Sequence, residues 1–535
     1  MGLLYIILVI YILTCISLYF LFPKVNVEAW KALVPGVNFI EWCKLIGRPT
    51  WWPLLLLIPL VNIFIWTGMA VNLVRSFDRF GLWESALAVF FPPAIFGILA
   101  TSDKDTYQGP ILTRERNYLT DLTEATKSGH KRKIEKLTLN NPYRKSLGRE
   151  WLESIFFAVF AAAFIRMFLI EPYLIPTPSM EGSLNVGDFL FVSKAHYGIR
   201  TPSTIAMIPL LHNRIPGLGV ESYLKSPKLK SHRLKPITPI KRFDPIVFNW
   251  PVGDSVYITS TRSYTVAQAR RGGIGDPELA GLVKDQDYVV RPFDKKDHYV
   301  KRCIALPGDT LEIRDKEIYI DGVFQPRQSH IQHNYQVAIP SGFNSMKLLE
   351  WGIDEDDLLQ RGTGVRGQPV FYYALDAGQA EKLTAAGAQV QVLPQGGGRG
   401  GSLFPHDANN YSDWTVDDFG PIWMPKKGAT VQLSPSNIAL YQRVITSYEG
   451  HDLKIDGGQY NIDGQVSTSY TFEQDYYWGM GDNRHNSEDS RAWGFVPADH
   501  IVGKPLFIWF STRDGGLFSG VNWDRIFMSA SKACE

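Results

Sequence analysis

Ser179 lies in IPTPSM, a proline-stiffened stretch directly after the apolar run WLESIFFAVFAAAFIRMFLI. A serine in such a turn presents its hydroxyl, but the hydroxyl is a weak nucleophile until a positioned base takes its proton. Histidine is the usual base, and His298 and His485 are the two in reach of strand or loop sites. Lysine is the other choice. Lys301, in YVKRCIALPGD, has the apolar neighbours Val300, Cys303, Ile304 and Ala305. An unshifted lysine is neutral in only about one molecule in ~2500 at pH 7. Burial lowers a lysine pKa by up to 3–5 units, which brings the neutral amine to a useful fraction. His298 stands three residues before Lys301, so on a strand the two point to opposite faces.

The elements that must hold these groups divide the 535 residues into a membrane part and a larger β-rich part. Four apolar runs read as spans: Leu3–Phe22, Trp52–Val74, Leu82–Ala100 with a kink at Pro92–Pro93, and Trp151–Ile170. The first lacks a basic flank and a small-x-small cleavage site, so it reads as a retained anchor. Residues 102–150 carry eleven Lys and Arg, against four in 23–51 and two in 75–81. That bias places 102–150 in the cytoplasm and Ser179 on the outer face.

Beyond residue 185, GDFLFVSK, DPIVFNWP, YVKRCIALPGD, TLEIRD and EIYIDG read as strands broken by turn residues. A loop rich in Gly, Asp, Asn and Ser follows within 476–511, and two strand-like runs after it. The expected organisation is a membrane region over 1–101, a basic loop over 102–150 and a span over 151–170. A first part of the core follows over 171–324, with a small insertion at 255–297. Then come an inserted domain over 325–470, and the second part of the core with a tail over 471–535. The Gly-rich 393–405 lacks the Gly-Lys-Ser/Thr ending of a phosphate loop. Trp414 and Trp423 fit either a buried core or a membrane interface.

A net charge of +2 gives no case for nucleic acid. Cys15, Cys43, Cys303 and Cys534 have no metal-like spacing and make no disulfide framework, and neither metal nor cofactor is expected.

IPTPSM, VGDFLFVSK, YVKRCIALPGD and GDNRHNSEDSRAWG, in that order after a membrane span, resemble type I signal peptidase, the membrane-bound bacterial Ser/Lys endopeptidase. The resemblance covers under half the chain, and the N-terminal spans and the 325–470 segment are extra to it. It implies a mainly-β extracytoplasmic catalytic domain after transmembrane helices, with a β-rich insertion. It implies cleavage of signal peptides from exported preproteins at small-x-small sites, at the outer face of the bacterial inner membrane. Preprotein signal peptides, the lipid bilayer and the secretion translocon would be its partners.

Residue by residue, the resemblance makes Ser179 the nucleophile and Lys301 the general base. Ser487 becomes the hydroxyl orienting the amine, and Thr177 an oxyanion donor beside the Ser179 N–H. Asp489 and Arg491 form a supporting pair, with Asp482, Asn483 and Arg484 in the same loop. Tyr173, Ile175, Met180, Leu184, Tyr299 and Val300 line shallow substrate pockets. Pro178 and Glu181-Gly182-Ser183 depart from the family's pattern. Three other readings compete: a Ser/His membrane hydrolase, a Ser/Lys self-cleaving repressor, which would need a DNA-binding domain that the sequence does not show, and a silent receptor or scaffold for exported proteins.

Overall fold

The structure is a computed structural model. It describes every residue except 1, 58–60, 142, 144, 145, 205, 212, 216, 217, 219, 227, 254, 260–262, 267, 268, 270–275, 287, 341, 342, 354–356, 364–368, 395–402, 514, 517–519, 534 and 535. Most of the glycine-rich 393–405 and all of Cys534 lie outside the described residues. Two compact units are present, Met1–Ala158 and Val159–Glu535.

The first unit is helical. Gly2–Leu21 packs along Pro92–Thr101, and Val61–Arg75 along Leu82–Phe90. Trp42 is fully buried at the centre of this unit's core. Its ring meets Trp66 and Phe96 edge-on at 5.5 and 5.1 Å, and its Nε1 donates to the Met69 carbonyl at 3.1 Å. The acceptor offsets the cost of taking the indole N–H out of water. Arg79 grips Asp105 through two bonds of 2.7 and 3.1 Å.

The expected second span begins as a 3₁₀ turn, Trp52–Leu57, and its α-helix covers only Val61–Arg75. The third is broken at Pro92, because a proline inside the run removes a helix hydrogen bond. Among the described residues, two helices are long and apolar enough to cross a membrane, Leu8–Val25 and Leu147–Phe168. None of the second helix's window is buried in protein.

The second unit is mainly β. Its central sheet contains β1 (Ile170–Leu174), β2 (Asp188–Ser193), β3 (Pro245–Asn249), β4 (His298–Ala305), β5 (Tyr476–Met480), β6 (Val496–Pro497) and β7 (Ile501–Ser511). The order is β1-β2-β7-β3-β4-β5-β6 and every pairing is antiparallel. The strands expected from alternation around 187–194, 244–251 and 299–309 are thus β2, β3 and β4. One core cluster, on β1, β2 and β7, gathers Ile175, Met180, Leu184, Leu190, Val192 and Ile508. Another gathers Phe248, Trp250, Cys303 and Trp493. Cys303 is buried as a free thiol.

Residues 325–470 supply two different structures. His333–Ala338, Leu358–Thr363, Pro369–Leu375 and Gln389–Val392 form a separate four-stranded sheet with its own core. Phe419–Trp423 instead pairs with Thr310–Arg314, and the segment up to Phe472 packs into the core beneath β5. There the Trp423 Nε1 donates to the Gly308 carbonyl at 3.1 Å, and the Trp414 ring packs tilted against Phe419 with centroids 4.3 Å apart. The core reading of both tryptophans accounts for these contacts.

Candidate active site

Ser179 sits in a single 3₁₀ turn, Pro178–Met180, directly after β1. The sequence dictates this turn. Thr177 precedes a proline and takes the extended conformation such a residue prefers (φ −135°, ψ 148°), while Pro178 opens the turn where no N–H is needed. Met180 is fully buried and anchors the turn in the core, leaving Ser179 half-buried.

Lys301 is the fourth residue of β4, opposite Ile246 of β3. It is 2% exposed, and its Nζ donates to Ser179 Oγ at 2.5 Å. Burial in this apolar strand pushes its pKa from the ordinary 10.5 down to about 8. Asp489, Asp482 and Glu488 pull the other way, and without them the fall would be larger. The amine is therefore close enough, and neutral often enough, to take the Ser179 proton.

Two glycines in the facing segment make room for this approach. A Cβ on Gly479 would come within 3.0 Å of the Lys301 Cβ. A Cβ on Gly481 would lie 2.3 Å from the Ser179 carbonyl oxygen and 2.2 Å from Ser487 Oγ. Ser487 Oγ is buried and has no hydrogen-bond partner among the described residues. The expected bond from this hydroxyl to the Lys301 amine is therefore not formed. Lys301 reaches Ser179 directly, and Ser487 packs on the open face of Gly481. Thr177 is exposed and does not cap the turn.

Asp489 and Arg491 form a buried ion pair, with bonds of 2.9 and 2.7 Å. Asp489 also accepts from the Gly481 N–H at 3.1 Å, and Arg491 donates to the Arg484 carbonyl at 2.7 Å. This is not a solvent-screened surface pair, and removing either partner would strand a buried charge. Arg491 holds the Asp489 carboxyl below the usual range against the opposing effect of burial.

A second buried pair went unread in the sequence. Arg302, next to Lys301, forks onto Asp482 at 2.7 and 2.5 Å. Asp482 also accepts from Ser183 Oγ at 2.5 Å, and Arg302 Nη2 lies 2.8 Å from His330 Nε2. Strand β4, the turn after Ser179 and the loop at 482 are tied at one point. The signal was present in KRC and GDNR, both of which place an arginine beside a candidate functional residue. Asn483 donates its N–H to the Ser179 carbonyl at 3.3 Å, and Arg484 is buried in the same loop.

Of the expected pocket residues, Ile175, Met180 and Leu184 are buried in one cluster, with Tyr173 and Val300 packed on it. Tyr299 lies in the neighbouring cluster against Trp250, its ring centre 5.9 Å from Lys301 Nζ. The candidate histidine bases are placed elsewhere. His485 Nδ1 accepts from the Asn334 N–H at 3.1 Å and its Nε2 lies 2.8 Å from Asp417, so both ring nitrogens are engaged. The His298 ring packs edge-on against Tyr173 at 4.9 Å.

A serine turn beside a buried lysine on an antiparallel sheet defines a hydrolase-type site, and sequence comparison identifies its family. Residues 148–358 and 434–510 match the family described as signal peptidase, peptidase S26. Signal peptidase I of Buchnera aphidicola subsp. Acyrthosiphon pisum is 24% identical over 388 residues, covering 71% of this chain and 80% of the relative. That of Pseudomonas aeruginosa is 22% identical over 388 residues, covering 70% and 78%. That of Aquifex aeolicus is 49% identical over 55 residues, 10% of this chain and 21% of the relative. The family match spans more than half of the residues, and the chain belongs to the signal peptidase family, peptidase S26. It is a serine peptidase of the signal peptidase I type. Residues 30–110 match a family of unknown function.

Proposed function

We propose that this chain is a membrane-bound endopeptidase that removes N-terminal signal peptides from exported preproteins at small-x-small sites, with Ser179 as nucleophile and Lys301 as general base. The observation that carries this reading is the 2.5 Å approach of the buried Lys301 amine to Ser179 Oγ. Ser179 Oγ attacks the scissile carbonyl as its proton passes to the neutral amine. The Thr177 hydroxyl and the Ser179 N–H face the developing oxyanion, where one such donor contributes roughly 3–4 kcal/mol. As the C–N bond breaks, the Lys301 ammonium returns its proton to the leaving amine. Water then attacks the ester, Lys301 takes the water proton, and Ser179 is regenerated.

Side chains before the cut rest on Ile175, Met180, Leu184 and Val300, with Tyr173 and Tyr299 at the margins. Three of these are at most 5% exposed, so the wall has little depth to offer. A large side chain must displace packed atoms at about 1–3 kcal/mol, which selects Ala, Gly or Ser. Asp489 with Arg491, and Asp482 with Arg302, fix the loop that covers Lys301. Ser487 fills the space over Gly481 and would reach the amine once substrate draws Ser179 away.

In this reading Leu147–Phe168 crosses the inner membrane, and Ser179 emerges on the outer face opposite the basic 102–150. Leu3–Phe22 is a further anchor, and the shorter helices within 52–101 complete the membrane region. Residues 171–324 and 471–535 form the core together with the 419–472 segment, and 255–297 and the separate sheet within 333–392 are insertions into it. The translocon, which delivers preproteins to that face, is the proposed partner.

The test is incubation of the detergent-solubilised full chain with a preprotein carrying an Ala-x-Ala site, followed by N-terminal sequencing of the product. Cleavage after the second Ala is expected, with loss of cleavage when that Ala is replaced by Leu. An intact preprotein, or equal cleavage of both, contradicts the proposal.

A further inference from the structure

Between β2 and β3 the chain runs out and back as a ribbon. Isolated antiparallel bridges join Arg200 to Arg233, Thr204 to Lys228, Met207 to Tyr223 and Arg214 to Glu221. The base of the ribbon is fastened to β3 and β7. Arg233 donates to the Gly198, Ala498 and Ile501 carbonyls at 2.8, 3.1 and 2.5 Å. Arg200 donates to Asn249 Oδ1 and to the Asp499 carbonyl, each at 2.8 Å. Asp294 accepts from the Ser203 and Thr204 N–H groups at 2.9 and 2.8 Å.

The composition changes along the ribbon. Between Pro202 and Leu224 the charged residues are Arg214 and Glu221, which face each other across it at 3.8 Å. In this distal part Ile208, Leu210, Leu218, Val220 and Leu224 are 38–71% exposed. Single exposed apolar side chains are ordinary, but five on one projecting ribbon mark an interaction surface. Residues 222–243 then hold seven Lys and Arg and no Asp or Glu. Of these Lys225, Lys228, Lys230 and Lys235 are exposed. The ribbon's position decides what covers it. Arg166 Nη1 donates to the Leu210 carbonyl, and Leu210 and Leu211 line one cavity with Phe160, Ala163 and Phe164 of helix Leu147–Phe168. Phe160 precedes the helix end at Phe168 by about 12 Å, at 1.5 Å per residue. Leu210 and Leu211 therefore lie beside the last turns of a helix whose apolar window has none of its residues buried in protein.

We propose that this ribbon is an interfacial anchor: Ile208, Leu210, Leu218, Val220 and Leu224 sit in the outer leaflet, and Lys225, Lys228, Lys230 and Lys235 rest on its anionic headgroups. The proposal rests on the reading that helix Leu147–Phe168 crosses a bilayer. An apolar tip followed by a lysine collar, beside a span, matches the order from hydrocarbon to headgroup in a membrane. A protein partner would have to supply an apolar groove and an acidic rim at the same depth, and an anionic leaflet supplies both. The bonds at the base join the anchor to β3, which pairs with the strand that carries Lys301. The anchor thus holds the dyad at a set height over the bilayer. Preproteins are then selected by the length of chain between their apolar segment and the Ala-x-Ala site.

The experiment uses the full chain with Cys534→Ser, since Cys15, Cys43 and Cys303 are buried. A fluorophore is placed by Leu218→Cys on the ribbon, Phe157→Cys on the helix or Val466→Cys on another hairpin, sites 71%, 70% and 64% exposed. Each protein is reconstituted in phosphatidylcholine nanodiscs with and without phosphatidylglycerol. Quenching by a nitroxide on the acyl chain is compared with quenching by acrylamide in water. The Leu218→Cys probe should be quenched by the nitroxide like the Phe157→Cys probe, and more strongly with phosphatidylglycerol. Combined Lys225→Gln, Lys228→Gln and Lys230→Gln should abolish that gain. Leu218→Asp with Val220→Asp should leave cleavage of a soluble Ala-x-Ala peptide within about twofold of wild type, while cleavage of a bilayer-inserted preprotein falls about tenfold and its preference for one spacer length is lost. A Leu218→Cys probe as open to acrylamide as the Val466→Cys probe overturns the proposal. So does a probe shielded from acrylamide yet untouched by the nitroxide, the mark of a protein cover, and so does a phosphatidylglycerol gain that survives the lysine replacements. If the Phe157→Cys probe is also open to water, the span fails and the anchor with it. If it is quenched by the nitroxide while the Leu218→Cys probe is wet, the anchor alone fails. Cleavage of the soluble peptide by the wild type scores the peptidase reading separately.

Discussion

The neutral amine of Lys301 sets a pH profile whose shape follows from its surroundings. With a pKa of about 8, roughly one enzyme in ten carries the neutral base at pH 7 and nine in ten at pH 9. The profile of kcat/KM, which reports the free enzyme, should therefore rise about tenfold across that interval and about a hundredfold from pH 6. A lysine left at 10.5 would still be climbing at pH 10. The same shift bears on stability. The folded pKa lies below the unfolded one, so burying the ammonium costs stability in full below about pH 8, and the cost is relieved as pH rises from about 8 to 10.5. Lys301→Met should accordingly stabilise the fold near neutrality by on the order of 3 kcal/mol while abolishing cleavage. The assay is initial-rate cleavage of an Ala-x-Ala substrate from pH 6 to 10, with urea midpoints of wild type and Lys301→Met at pH 7 and 10. A rate already on its plateau at pH 6, or a midpoint near 6.5 that disappears in His485→Ala, refutes the lysine reasoning.

Asp489→Asn removes the carboxylate that most favours the Lys301 ammonium and leaves Arg491 buried without its anion. Its pH midpoint should fall below that of wild type, and its urea midpoint should drop by an amount equivalent to about 3–5 kcal/mol. Gly481→Ala pushes a methyl group against the Ser179 carbonyl and Ser487. Circular dichroism should show a fold weakened by about 1–3 kcal/mol, and kcat should fall about a hundredfold because the nucleophile is displaced. His485→Ala breaks the bonds to Asp417 and the Asn334 N–H, costing about 1–3 kcal/mol on a melting curve, while cleavage should persist.

The strands of the central sheet were legible as short apolar runs that end in turn residues, alternating in burial in β2 and continuously buried in β3 and the second half of β4. Ser179 and Lys301 stood out as candidates only through the ordered motifs IPTPSM and YVKRCIALPGD, since a lone serine in a turn or a lone lysine on a strand carries no such signal. The partners that shape the site were not. Arg302, Asp482, Ser183 and His330 meet across 28 to 299 residues of chain, and no local pattern specifies such a pairing. Nor could spacing show that Ser487 packs on Gly481 and makes no bond to the amine. The division of 325–470 was hidden for the same reason, since Phe419–Trp423 joins Thr310–Arg314 through a register that only the tertiary fold sets. Toward the N-terminus, hydropathy exposed the apolar runs and Pro92–Pro93 marked the break in the third, but nothing local showed that the second opens as the 3₁₀ turn Trp52–Leu57.

The measurement closest to the central claim is single-turnover cleavage of an Ala-x-Ala preprotein at pH 9, with enzyme in excess, for wild type, Ser179→Ala and Lys301→Met. At that pH the wild-type base is mostly neutral, so any loss reports the missing group and not its charge state. Loss of the nucleophile or of its base should lower the rate by at least about a thousandfold in each variant, with melting transitions retained. The double variant should be no slower than either single one, because the two groups act as a unit. Cleavage by either single variant within about tenfold of wild type would contradict a Ser179–Lys301 dyad.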